Sequence, residues 1–286
     1  MRWRKGRKSE NIEDRRSVRV PGGAAGVGGA GLILVLLVSM FLGVDPGQFL
    51  EGMEDSTGTM GQQSQLSEEQ LNQSAEFVSM VLGDTEATWN GIFKDELGRA
   101  YIDPKLVLFT RAVDSACGRA SASVGPFYCP GDQKIYIDLD FLNDLQERLG
   151  ASGDFAQAYV IAHEVGHHVQ TLVGTSEYVD TMKLEASEVE ANQLSVALEL
   201  QADCYAGVWA NRATNRDLIL ESGDLEEGLN AASAVGDDRL QKQSQGYVVP
   251  DAFTHGTSAQ RVEWFSRGLE SGEMASCNSV QLPAIG

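Results

Sequence analysis

Leu71, Phe77, Val78, Val81, Leu82, Trp89 and Ile92 recur near helical spacing, which predicts an amphipathic helix. Its start is marked by Ser67-Glu68-Glu69-Gln70, a capping box in which the first and last residues satisfy each other's backbone donors. The pattern changes at residues 105–111 (KLVLFTR) and 134–139 (KIYIDL), where β-branched and aromatic residues predict strands. Helical spacing returns and predicts helices near 140–149, 155–173, 185–213, 225–245 and 257–270. Two strands among many helices predict an α+β domain over residues 67–286, mainly helical with a small sheet. No internal repeat is present.

Ahead of that domain, residues 1–20 carry eight Lys or Arg against three acids, and residues 22–44 carry no charge and end in LILVLLVSMFLGV. A run of that length, at about 1.5 Å per residue, reaches across a hydrocarbon layer of roughly 30 Å. The expectation is a basic cytoplasmic tail at 1–21, one transmembrane helix at 22–44 and a flexible, Gly-, Gln- and acid-rich stalk at 45–66. A cleaved secretory signal is the alternative, and in both cases the domain is extracytoplasmic.

Composition narrows the partners. The whole chain has a net charge of −19, and setting aside the five net positive charges of residues 1–20 leaves −24. Nucleic acid is thereby disfavoured as a ligand. Four cysteines in an exported chain point to disulfides. Cys117 and Cys129 bracket a Gly- and Ser-rich loop and are expected to pair, which leaves Cys204 with Cys277. None of the four has the C-x-x-C spacing of a thiolate zinc site.

The chemistry is concentrated at AYVIAHEVGHHVQ, residues 158–170. On a helix His163 and His167 lie one turn apart on one face, so both imidazoles reach one point, and Glu164 sits beside them. This H-E-x-x-H spacing suits a zinc ion, with Glu164 placed to take a proton from water. Three of the chain's four histidines sit here, behind an apolar run. His168 points about 100° away and reads as a packed or hydrogen-bonded residue.

A third ligand is still required. Gln170 and Val173 stand where the metzincin pattern needs a glycine and a histidine, so a carboxylate remains. Glu185, Glu188 and Glu190 lie in a polar stretch that reads as a solvated face. Glu199 and Asp203 stand i, i+4 in the apolar segment ALELQADCYAGVW, where an unpaired buried carboxylate is costly. Glu199 is assigned to the metal and Asp203 to a hydrogen bond that orients a histidine; exchanged roles, or two acids that are only ion-paired, remain open. His255, in a polar turn before a helix, is a candidate oxyanion donor or equally a helix-entry residue, with Thr257 or Ser258 as cap.

The order strand, strand, helix, motif helix, second ligand helix is that of a zincin, and residues 134–139 are the candidate edge for an extended peptide, or else a plain core strand. HEVGHHVQ, LELQADCYAGVW, ACGRASASVGPFYCP, KIYIDLDF and FTHGTSAQRVEWF together resemble the neutral zinc metallopeptidases of bacterial membranes. The resemblance supports His163, His167 and Glu199 as ligands and Glu164 as base. With the apolar run at 22–44 and the motif chemistry, the expected protein is a membrane-anchored peptidase with one zinc per chain acting on a peptide or protein, though the substrate does not follow from the resemblance. A catalytically silent exported scaffold, and hydrolysis of a non-peptide amide, are the competing readings.

Overall fold

The computed structural model describes residues 1–3, 6–16, 66–110, 112–121, 125–142, 145, 153–214, 220–221 and 223–279. The run at 22–44 and the stalk at 45–65 lie outside them. Among the described residues no helix is long and apolar enough to cross a membrane.

The architecture is α+β and mostly helical. The elements are β1 (Ile12–Asp14), α1 (Glu68–Asp95), β2 (Lys105–Phe109), β3 (Ala112–Ser115), β4 (Gly118–Ser121), β5 (Phe127–Cys129) and β6 (Lys134–Asp138). Helices follow at α2 (Asp154–Val173), α3 (Thr175–Lys183), α4 (Glu188–Ala213), α5 (Asp224–Ala234), α6 (Asp237–Gln245) and α7 (Ser258–Ser271), with 3-10 turns at Pro250–Ala252 and Met274–Cys277. Between β6 and α2, residues 139–142 and 145 are helical.

Ser67 caps α1 in the capping box expected from the sequence. The region expected as one helix at 225–245 is two, because the chain breaks at Val235-Gly236. A side chain at 236 would meet the backbone nitrogen of Ser258 at 2.3 Å, so the break lets the start of α7 pack there. α3 follows α2 directly across Gly174, whose φ of 85° ends the first helix.

One sheet has the order β1-β2-β6-β5, and β3 and β4 form a separate hairpin. β1 and β6 run parallel to β2, while β5 is antiparallel to β6. Two expectations change here. Residues 134–138 are not an edge strand: β6 lies between β2 and β5, and the edge is β5, which returns along β6 through a turn where Gln133 has a φ of 55°. Residues 12–14, expected within a tail, form the opposite edge as β1.

Alternation along β2 separates two cores, as the pleat requires. Leu106 and Leu108 face the helices with Ile135 and Ile137, and Val107 and Phe109 face the hairpin with Tyr136, Val113 and Ala120. The helical core is built from Trp89 and Phe93 of α1, Phe155 and Tyr159 of α2, Trp209 of α4 and Phe265 of α7. α4 and α7 pack closely, since a Cβ on Gly207 would lie 2.1 Å from the Phe265 carbonyl oxygen and one on Gly268 would lie 1.9 Å from that of Cys204. Disulfides join Cys117 to Cys129 and Cys204 to Cys277, as paired from the sequence.

Candidate functional site

α2 and α4 carry the chemistry, and their approach depends on Gly166, the glycine within the H-E-x-x-H turn. A Cβ there would press on the backbone of Ala202, 3.0 Å from its carbonyl oxygen. With only hydrogen at that position, the histidine face of α2 lies against the acid face of α4. His163 Nε2 stands 3.2 Å from Glu199 Oε2, and His167 Nε2 stands 3.4 Å from Glu199 Oε1. One donor atom from each of His163, His167 and Glu199 lies within 4.8 Å of the others, a spacing that could hold a metal ion.

The far nitrogens of both rings are also fixed. His163 Nδ1 is 2.8 Å from Asp203 Oδ1, and His167 Nδ1 is 2.9 Å from Gln170 Oε1. Gln170 is itself held, donating to the Leu198 carbonyl oxygen and to Gln201. Asp203 accepts from the Tyr159 hydroxyl and from Arg261, whose Nε and Nη2 reach its two oxygens at 2.8 and 2.9 Å. The residues fit a zinc ion chemically: two imidazoles and a carboxylate converge, and an acid and an amide on the outer ring nitrogens orient the histidines.

Charge follows the same layout. Burial alone would lower the His163 pKa, but Asp203 and Glu199 outweigh it and push it up to about 10. Burial likewise works against charge on Glu199, yet the two histidines hold its carboxyl well below the usual range. Asp203, fully buried, is held down by Arg261 and His163. Glu164 behaves in the opposite way: it is 8% exposed, hydrogen-bonds to neither ring, and burial raises its pKa.

The other sequence candidates fall where their surroundings direct them. His168 is buried, with Nε2 2.7 Å from the Ile102 carbonyl oxygen and its ring against Tyr101 and Tyr128. Glu185, Glu188 and Glu190 are exposed. His255 lies on the wall of the cleft with Nδ1 3.2 Å from Asp237 Oδ1, and Thr257 is the cap of α7. Hydrogen bonding to Asp237 raises the His255 pKa. Asp237 Oδ2 accepts the backbone N–H groups of Thr254, His255 and Gly256, so one carboxylate holds both the turn and the ring.

His163, Glu164, His167 and Glu199 line a cleft of about 490 Å³. Phe127 and Tyr128 of β5, with Phe141, Leu145 and Val160, form an apolar side, and His255 and Arg261 complete the polar side. Arg261 and Asp237 escaped the sequence reading. The signal for Arg261 was indirect, because a buried Asp203 needs a counter-charge and Arg261 stands beside Val262, Trp264 and Phe265 in the last helix.

Comparison with known proteins agrees with the geometry. The chain is 49% identical to the Escherichia coli (strain K12) protein YpfJ across 98% of both chains. It is 38% identical to the Mycobacterium tuberculosis protein Rv2575 across 87% of both. Both relatives are described as uncharacterized, and no solved structure matches. A family model matches residues 1–280, so the chain belongs to the family described as putative neutral zinc metallopeptidase.

Proposed function

We propose that the chain is a zinc-dependent peptidase of the zincin type. It holds one zinc ion on His163, His167 and Glu199, hydrolyses peptide bonds with Glu164 as general base, and attaches to a membrane through residues 22–44. The observation that carries this reading is the pairing of a converged His-His-Glu set with a separate buried carboxylate, Glu164, in one open cleft. A site that only held metal would have no use for that fourth group.

Zinc, when bound, acidifies water to a pKa near 7 and polarises a carbonyl oxygen. Glu164 takes the proton from the attacking water and delivers it to the leaving amine nitrogen. Its raised pKa favours that exchange, because a base whose pKa approaches the working pH can both accept and release a proton. His255, oriented by Asp237, donates a hydrogen bond to the developing oxyanion from the cleft wall. Asp203 accepts the Nδ1 proton of His163, so Nε2, once its own proton is displaced by a metal, faces inward as a donor atom, and Arg261 keeps Asp203 ionised.

The substrate is an extended peptide. β5 ends the sheet and lines the cleft through Phe127 and Tyr128, and its outer edge pairs with no other strand among the described residues, so a peptide can add there through main-chain hydrogen bonds. The apolar side of the cleft accepts an apolar side chain next to the cleaved bond. The test is incubation of the purified full chain with a library of unstructured peptides, with zinc, with a chelator, and with zinc restored. Cleavage that follows the metal supports the reading. No cleavage at full zinc content overturns it in favour of a silent scaffold.

A further inference from the structure

Residues 6–16 are built into the domain that carries the site. Ile12, Glu13 and Asp14 pair in parallel with Leu106, Val107 and Leu108, and backbone bonds extend the ladder from Leu106 to Asn11 and from Arg15 to Leu108. Ser9 is buried and its N–H donates to the Ser79 carbonyl oxygen of α1. Three donors of this segment, the Arg7 guanidinium, the Ser9 hydroxyl and the Asn11 amide, converge on Glu86, which is 1% exposed. Undocking the segment would take all three donors from a buried carboxylate, and an unpaired buried charge is strongly disfavoured. α1 is shaped for the segment as well, since a Cβ on Gly83 would lie 2.2 Å from the Arg7 carbonyl oxygen.

The described basic residues of this end of the chain are paired, three with acids of the domain and two with acids of the segment itself. Arg2 pairs with Glu221, Arg7 with Glu86, Lys8 with Glu76, Arg15 with Glu13 and Arg16 with Asp14. These residues are therefore not the free positive flank from which a cytoplasmic tail was expected.

The points of departure and return are neighbours. Arg16 Nη1 donates to Asn72 Oδ1 at 3.0 Å, and Asn72 stands five positions beyond the Ser67 cap of α1, about 7.5 Å along the helix. Arg16 and Ser67 thus lie near one corner of the domain. A single crossing by residues 22–44 would put β1 on the opposite side of the membrane from β2 and Glu86. A second crossing, back through residues 45–65, would have to bury Asp45, Glu51, Glu54 and Asp55, which bilayers resist.

We infer that the amino-terminal segment, residues 6–16, and the metal site lie on the same side of the membrane. The inference is independent of catalysis, and it is incompatible with the single crossing expected from the sequence.

The test uses the full chain in its own membrane. Glu10 and Gln243 are exposed, so single added cysteines, Glu10→Cys and Gln243→Cys, leave the fold undisturbed, and the parent chain supplies the background. Both positions should react with a membrane-impermeant maleimide in vesicles of one orientation and be protected together in the other. Reaction of one position only in right-side-out vesicles and of the other only in inside-out vesicles overturns the inference. A protease site inserted between residues 56 and 60 gives a second readout. After cleavage in detergent, residues 1–16 should stay with the domain in the wild type and be released by Ile12→Asp; separation of the wild-type segment also overturns the inference.

Discussion

Two acid clusters pack against α2, one at its amino-terminal end and one beside its middle, and they differ in almost every respect that decides what a cluster can hold. At the amino-terminal end Asp154, Asp224 and Glu227 place carboxylate oxygens within 4.8 Å of one another, as close as the donors of the histidine site. The Met1 ammonium already sits among them, 2.7 Å from Asp154 and 3.1 Å from Asp224, and Glu227 accepts the Phe155 N–H. Burial raises the Glu227 pKa, and its two acidic neighbours add to the rise. About two and a half turns further along, each acid meets bases instead: Glu199 faces two imidazoles, and Asp203 faces His163 and Arg261. Proximity of acids is common to both clusters. What sets the second apart is imidazole donors whose outer nitrogens are held from behind, with an opening to a cleft.

The strongest way to break that contrast is to remove the carboxylate that faces both histidines. Glu199→Ala should reduce zinc in the purified chain from about one ion to near none, because two histidines do not hold a catalytic zinc securely. Metal analysis after dialysis reads this directly. Full zinc retained by the variant would mean that another acid group binds the metal, and the distinction between the two clusters would fail.

Glu164→Gln probes the group that no ligand role explains. Zinc content and fold should be unchanged, while peptide cleavage falls by about 10²- to 10⁴-fold, the usual range for loss of a general base. Equal rates at equal zinc would remove Glu164 from the mechanism.

These two residues also mark how far the sequence could be read. Residues 155–173 were expected as a helix and Asp154–Val173 is one, because a strong apolar period ends at Gly174. Glu199 and Asp203 were legible because acids four apart in an apolar helix must have partners. The partner itself was not, since Arg261 comes from a helix 58 positions later, joined to Asp203 only by tertiary packing. The sheet was least legible. β5 has three residues next to prolines, and β1 has the sequence Ile-Glu-Asp; neither shows an alternating period, and both exist through pairing with distant strands. Giving the edge to residues 134–138 followed from that gap, because the stronger pattern of β6 belongs to the more buried position.

Asp203→Asn is a finer cut within the histidine site. It keeps the size of the side chain but withdraws the charge that fixes the His163 ring. Zinc affinity should weaken by about 10- to 100-fold rather than vanish, as measured by competition with a chromophoric chelator. A variant that binds as tightly as the wild type would make Asp203 only a partner for Arg261.

The pH profile sharpens the role of the cleft wall. His255 donates to an oxyanion best when protonated, and its raised pKa keeps it protonated to higher pH than an ordinary histidine. Activity should therefore fall as pH rises through that raised value. In Asp237→Asn, the side-chain oxygen can still accept the backbone N–H groups of the turn, but the charge that favours imidazolium is gone. The alkaline limb of kcat/KM should move to lower pH. An unmoved limb would assign it to another group.

The smallest effect on the site is expected at the other cluster, and it is the control for the comparison. Asp224 lies at the far end of α2 from the histidines, and its carboxylate is committed to the Met1 ammonium. Asp224→Asn should leave zinc content and cleavage rate unchanged. It should lower stability by about 1 kcal/mol, less than a whole charge-assisted hydrogen bond because the asparagine oxygen still accepts from the ammonium and Asp154 stays in place, or roughly 2–4 °C in Tm for a domain of this size. If the acidic cluster were a metal site in its own right, the variant would lose a bound ion, and a divalent cation would raise the Tm of the wild type but not of Asp224→Asn. Thermal unfolding with and without added calcium or magnesium separates the two. A flat response in both chains leaves the ammonium as the cation that this cluster holds.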